Sequence, residues 1–140
     1  MGFIMASRSR ILIVDDERVL ADTISEIFRS AGYETFTAYN GKLGLDAART
    51  LAPHLVISDV TMPGLDGVTM AMAIRNMLPD VRILLFSGQA NILDLLEKAE
   101  EKGFHFDLLQ KPVHPEEMMR HVATVLASSQ ANSEQPPTIQ

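Results

Sequence analysis

The chain contains no cysteine, which excludes disulfides, thiol catalysis and thiolate metal sites together and permits a reducing compartment. No apolar run comes near the roughly 20 residues that a membrane-spanning helix needs. The segment from Met1 to Arg10 is apolar first and basic afterwards, the reverse of a secretory leader. It leaves Met1 and Met5 both open as the start. Positive charge is also scarce, with 12 Lys and Arg against 18 Asp and Glu and a net charge of -6. A broad phosphate-binding surface is therefore not expected, and neither is direct binding to nucleic acid or a membrane. The four histidines have no ligand spacing, so with no thiolate available zinc is not expected either.

What is present is ordinary in amount and unusual in arrangement. The 140 residues, 46% hydrophobic and 21% charged, suit one globular domain with a full core. Ile11 to Val14 is apolar and ends in Asp15-Asp16. Leu55 to Ser58 ends in Asp59, Ile83 to Phe86 ends in Ser87-Gly88, and Leu108 to Gln110 ends in Lys111-Pro112. Each run has the length and character of a buried parallel strand. Tyr33 to Ala38 reads as a further strand.

Helical spacing fills the intervals. Leu20, Ile24, Ile27 and Phe28 form one stripe, ending near Gly32. Asn40 can cap a helix to about Thr50, and Asp66 opens one carrying Met70, Ala73, Ile74 and Met77. Asn91 to Lys102 is the next, with Ile92, Leu95, Leu96 and Ala99 inward. Pro115 opens the last, which presents Met118, Val122, Val125 and Leu126. Strand and helix thus alternate five times, which predicts an α/β parallel sheet covered by helices on both faces. Residues 1–9 read as an extension, 10–128 as the domain and 129–140 as a disordered polar tail.

In such a sheet the carboxyl ends of the strands share one edge, where ligands bind. Asp15 and Asp16 have an alternative use as helix caps, and Asp59 as a turn former. Three carboxylates at one edge, however, repel one another and demand a proton or a cation. An all-oxygen donor set suits Mg²⁺ or Mn²⁺. Asp59 can act as a nucleophile towards phosphorus and form an acyl phosphate. The Ser87 hydroxyl can donate to a phosphoryl oxygen, and Lys111 can hold a cation against it.

Asp15-Asp16, Asp59, the Met62-Pro63-Gly64 turn, Ser87 and Lys111-Pro112, in that order, resemble the receiver domain of two-component response regulators, over about Arg10 to Ser128. The resemblance implies a flavodoxin-like doubly wound (βα)5 three-layer sandwich with strand order 2-1-3-4-5. It implies that Asp59 accepts a phosphoryl group from a sensor histidine kinase or a histidine phosphotransfer protein in the cytoplasm. Asp15, Asp16, Asp59 and the backbone carbonyl of Thr61 would hold Mg²⁺ or Mn²⁺, and Ser87 and Lys111 would bind the phosphoryl group. Thr61 and Gln89 stand where the family tunes hydrolysis. By the same resemblance the protein is a signalling protein rather than an enzyme, catalysing only its own phosphorylation and dephosphorylation. It would act by changed partner binding, through the face of the fourth helix, fifth strand and fifth helix. A homodimer through that face is possible in the family.

Other readings compete with a phosphorylated signalling module. A receiver-like interaction scaffold that never cycles phosphate would not need the complete set of acids, Ser87 and Lys111. A Mg²⁺-dependent phosphatase would want a second acid two residues after its nucleophile, where Thr61 stands. A flavin-binding module would want a phosphate loop where Asp15-Asp16-Glu17 would repel the phosphate. The chain departs from the family at one place, since the usual aromatic three residues before the lysine is Leu108, with Phe106 two residues earlier. Either Phe106 or a leucine repacking is expected to replace the inward turn of that aromatic. A structure phosphorylated on Asp59 should show Gly103 to Lys111 shifted, and an unchanged segment would refute this.

Overall fold

In the computed structural model, residues 8–89 and 92–134 are described. Five strands alternate with five helices: β1 (Arg10–Val14), α1 (Arg18–Ser30), β2 (Glu34–Ala38), α2 (Gly41–Leu51), β3 (Leu55–Asp59), α3 (Gly67–Met77), β4 (Arg82–Ser87), α4 (Leu93–Glu101), β5 (Asp107–Gln110) and α5 (Pro115–Glu134). All pairings are parallel, in the order β2-β1-β3-β4-β5. This is the flavodoxin-like α/β architecture that the alternation and the resemblance imply.

The period of two along each strand divides the core into two layers. Leu12, Val14, Val56, Ile83 and Leu85 face α2, α3 and α4. Ile11, Ile13, Leu55, Ile57, Leu84 and Phe86 face α1 and α5, where they meet Ile24, Phe28, Met118 and Val122. Central strands covered on both sides read as unbroken apolar runs for this reason.

The burial of one strand and the bounds of two helices differ from the sequence reading. β5 is not fully buried: it pairs only with β4, and its ends Asp107 and Gln110 are exposed. An edge strand has one neighbour to exclude water, so Leu108 and Leu109 are only half-buried. α5 continues to Glu134, so part of the segment expected as a disordered tail is helical. Its Ala, Ser and Gln residues carry no helix-breaking Pro or Gly and extend a packed helix at small cost. The rest of that segment lies outside the described residues, as do Asn91 and the region of Met1 and Met5. α4 begins at Leu93 rather than near Asn91.

Two side-chain caps match the sequence: the Asn40 side chain accepts Leu43 N–H at 2.8 Å, and the Asp66 side chain accepts Thr69 N–H at 2.8 Å. At the opposite edge of the sheet, His54 Nδ1 accepts the Arg10 N–H at 2.9 Å, and Arg10 donates to the carbonyls of Leu51 and Ala52. These bonds tie the start of β1 to the α2–β3 turn.

One glycine fixes how close α3 comes to β3. A Cβ on Gly67 would lie 2.1 Å from the Asp59 carbonyl oxygen and 2.9 Å from Val60 Cα, contacts that only backbone movement could relieve. Gly67→Ala is therefore expected to cost at least about 3 kcal/mol, at or beyond the upper end of overpacking penalties. Gly32→Ala supplies the contrast: its φ of +102° carries strain but its surroundings are open, so about 1 kcal/mol is expected. Urea unfolding of the two variants checks the order, and equal losses would contradict it.

Candidate functional site

The site is assembled by strand order. β1 lies beside β3, and β4 beside β3 on its other side, so the residues that end these strands converge. Asp15 directly follows β1, and its N–H donates to the Ala38 carbonyl at 3.1 Å, carrying the ladder with β2 one step further. Asp59 ends β3, opposite Phe86 of β4. Asp15, Asp16 and Asp59 each offer a carboxylate oxygen within 4.8 Å of the others. Asp15 and Asp59 are buried, while Asp16 is exposed.

Lys111 follows β5 and returns to the site because its N–H donates to the Ser87 carbonyl at 2.8 Å. Its Nζ lies 3.6 Å from Asp59 Oδ2 and 4.9 Å from the centre of the Phe86 ring. The ring face and the carboxylate together hold the ammonium at the mouth of the acidic cluster. The peptide bond Lys111–Pro112 is cis.

Burial dominates the titration of both inner acids. It pushes Asp15 up to about 6, against the Glu17 N–H that its Oδ1 accepts at 2.9 Å, with the Asp59 charge adding to the rise. Asp59 is also raised by burial, although the Lys111 ammonium and the Thr61 N–H act to lower it. Asp15 Oδ2 is buried and has no hydrogen-bond partner. A buried carboxylate oxygen without a donor, facing two further carboxylates, is what a hard divalent cation with oxygen ligands would satisfy. The residues present thus fit Mg²⁺ or Mn²⁺.

The other sequence-predicted residues are placed as follows. Ser87 is buried at the end of β4, its Oγ accepting the Gln89 N–H at 3.1 Å. Thr61 and Gln89 are both exposed beside the site. Leu108 lies within β5, opposite Leu85. Phe106 precedes β5, at the end of that strand away from Lys111. It stacks on Phe104 at 6.0 Å, and the Arg75 guanidinium lies 5.3 Å from its ring centre. Phe106 is therefore not part of the acidic site. Two contributors escaped the sequence reading. The Phe86 ring beneath Lys111 gives no local signal, whereas a glycine in first helical position after Asp66 could have marked the tight approach of Gly67.

Comparisons with known proteins agree with this geometry. The pattern of the response regulator receiver domain matches residues 11–123. Sporulation initiation phosphotransferase F of Bacillus subtilis is 32% identical over 94 residues, covering 67% of this chain and 75% of that protein. The DNA-binding response regulator MtrA of Mycobacterium tuberculosis is 31% identical over 129 residues, 92% of this chain. The chain spans 54% of the length of that relative. Among solved structures, the chemotaxis protein CheY4 of Vibrio cholerae superposes with a TM-score of 0.75 at 26% identity, covering 85% of this chain and 99% of that one. A receiver domain from Methanospirillum hungatei, 24% identical, covers 90% of this chain and 99% of its own with a TM-score of 0.83 and speaks to the fold alone.

The raised Asp15 has a consequence for stability. Its folded value, about 6, exceeds the ordinary 3.8, so its contribution is fully present below about pH 4 and is lost as pH rises through 6. At neutral pH the cation-free protein carries the cost of the ionised acid. Asp15→Asn is therefore expected to stabilise that form at pH 7 by roughly 1–3 kcal/mol. Added Mg²⁺ should raise the melting temperature of the wild type more at pH 7.5 than at pH 5, because its ligands must be deprotonated. Thermal unfolding with EDTA and with Mg²⁺ checks both; a destabilised Asp15→Asn variant would contradict the first.

Proposed function

We propose that this chain, which belongs to the response regulator receiver domain family, takes up a phosphoryl group on Asp59 in a site completed by Asp15, Asp16, Ser87 and Lys111. It is a phosphorylatable signalling domain. The observation that carries the residue assignment is the convergence of three carboxylates on one ammonium, with Lys111 Nζ 3.6 Å from Asp59 Oδ2.

The chemistry follows from the positions. An Asp59 oxygen attacks phosphorus as the bond to the donor's nitrogen or oxygen breaks, and the bonding pair leaves with the donor. The donor is a phosphohistidine of a sensor kinase or phosphotransfer protein, or a small acyl phosphate. Asp15, Asp16, Asp59 and the Thr61 carbonyl would hold Mg²⁺, which when bound would supply positive charge against the transferring phosphoryl oxygens. Lys111, already aimed at Asp59, pairs with a phosphoryl oxygen after transfer, and the Ser87 hydroxyl exchanges its bond with Gln89 for another. Thr61 and Gln89, exposed beside the site, stand at the positions where the family tunes hydrolysis of the acyl phosphate.

The added charge and acceptor oxygens draw Ser87 and Lys111 inward and carry the ends of β4 and β5 with them. Swinging a two-state surface from 1:99 to 99:1 needs about 5.5 kcal/mol of differential stabilisation, to which a few charge-assisted hydrogen bonds contribute a large part. The surface that changes is the one formed by α4, β5 and α5, where a downstream protein or a second copy would bind. The phosphodonor approaches from the other side of Lys111. There an apolar cavity of about 510 Å³ opens between α1 and α5, lined by Leu20, Ile24, Phe28, Phe86 and Met118 and sharing Lys111 with the site.

Incubation with acetyl phosphate and Mg²⁺, followed by intact-mass spectrometry, tests the assignment. One phosphoryl adduct is expected for the wild type and none for Asp59→Asn or with EDTA. An adduct that persists in Asp59→Asn would move the acceptor elsewhere. No adduct from small donors or from a phosphorylated histidine donor would favour an interaction scaffold.

A further inference from the structure

We propose that Tyr39, with Arg18 and Asp22, is the brace that holds Asp15 and Asp16 in place for the cation, a reading that rests on the acidic cluster being a divalent-cation site. The connection from β1 to α1 is only Asp15-Asp16-Glu17. The acids are therefore positioned by the end of β1 on one side and by the first turn of α1 on the other. From within, that end is tied by the Glu17 N–H bond to Asp15 Oδ1 at 2.9 Å. Its N-cap Glu17 makes no side-chain capping bond, and no acid follows in the opening turn. The charged residue that does open the helix is Arg18, a cation at the positive end of the helix dipole, where a cation is disfavoured.

Tyr39 resolves this local conflict from outside. It follows Ala38, whose carbonyl accepts the Asp15 N–H, and its side chain crosses to α1. The Arg18 guanidinium lies 4.2 Å from the centre of its ring. The Tyr39 hydroxyl donates to Asp22 Oδ1 at 2.6 Å and accepts from Thr37 Oγ1 at 3.3 Å. Arg18 and Asp22 are four residues apart and so lie on one face of the helix. One aromatic side chain thus grips two successive turns of α1 from the end of β2. Ser25 Oγ also bonds Thr35 Oγ1 of β2 at 2.8 Å, at the end of the second turn, so Tyr39 is the polar tie nearest the acids and Ser25 the one further along. Three carboxylates that repel one another need their backbone held from outside, and the Tyr39 contacts do so at the turn of α1 that directly follows them. Tyr39, Arg18 and Asp22 are positioning residues; none of them need touch the cation or the phosphoryl group.

Titration calorimetry with Mg²⁺ on the full chain at pH 7.5, comparing the wild type with Tyr39→Leu, Tyr39→Phe and Asp22→Asn, tests the brace. Removing the support of a metal site weakens binding by about 10–100-fold when that support touches the ligand itself, and this brace acts one step further away. Tyr39→Leu is expected to raise the Mg²⁺ Kd by about 3–10-fold. Tyr39→Phe keeps the ring under Arg18 and should fall between it and the wild type. Labelling by acetyl phosphate should require correspondingly more Mg²⁺ while its rate at saturating Mg²⁺ stays within about twofold of the wild type. A folded Tyr39→Leu variant with a wild-type Kd overturns the brace. Should Tyr39→Leu fail to fold, Tyr39→Phe and Asp22→Asn decide: a Kd raised at least about twofold in either supports it, and wild-type values in both overturn it. A wild type that is folded but binds no Mg²⁺ overturns the cation-site reading itself, and the brace with it.

Discussion

The repulsion among Asp15, Asp16 and Asp59 is the constraint around which the carboxyl edge of the sheet is organised. The two buried acids have neighbours that ease their charge: the Glu17 amide for Asp15, and the Thr61 amide and Lys111 ammonium for Asp59. The easing is incomplete. Asp15 remains well above the ordinary carboxylate range, and its Oδ2 has no partner. A site left short of positive charge in this way is one whose unfavourable contacts a divalent cation would replace with favourable ones. The same deficit that costs stability is what makes the edge responsive.

The scaffold beneath it is stiff where the acids sit and softer where the signal must leave. β1 and β3 are central, buried on both faces, and flanked by strands on both sides. Shifting them would disturb two apolar layers at once. β5 is one of the two edge strands, with half-buried leucines and exposed ends, and it delivers Lys111. Lys111, whose ammonium lies nearest Asp59, thus follows an edge strand, which costs less to displace than the central ones. Beyond its far end, Phe106 packs with Phe104 and Arg75, and Leu108 lies between that cluster and the site. Leu108 joins the two ends of the strand through an aliphatic side chain.

Much of this was legible in the residues alone because the interiors of parallel strands buried on both faces are bare of charge until they end. Ile11 to Val14 and Leu55 to Ser58 announce both their extent and the place where their acids emerge. Where that logic weakens, so does the reading. Leu108 to Gln110 looks like a central strand, but its exposure depends on having one neighbour, which is a property of strand order. The end of α5 has residues neutral enough for helix or coil, and their state follows from the packed helix they continue.

The sequence by itself determined the alternation of strands and helices, the family, and which polar residues stand at strand ends, since those follow from periodicities of two and 3.6 and from short-range order. Tertiary structure decided the distances: that β1 lies beside β3, that Lys111 returns across β4 to reach Asp59, and that Phe86 lies beneath it. It also decided that Asp15 keeps an unpartnered oxygen and that Tyr39 reaches Arg18 and Asp22. These are contacts between residues far apart in the chain. They depend on how elements pack, and no local pattern of side chains encodes the few ångströms on which charge and coordination turn.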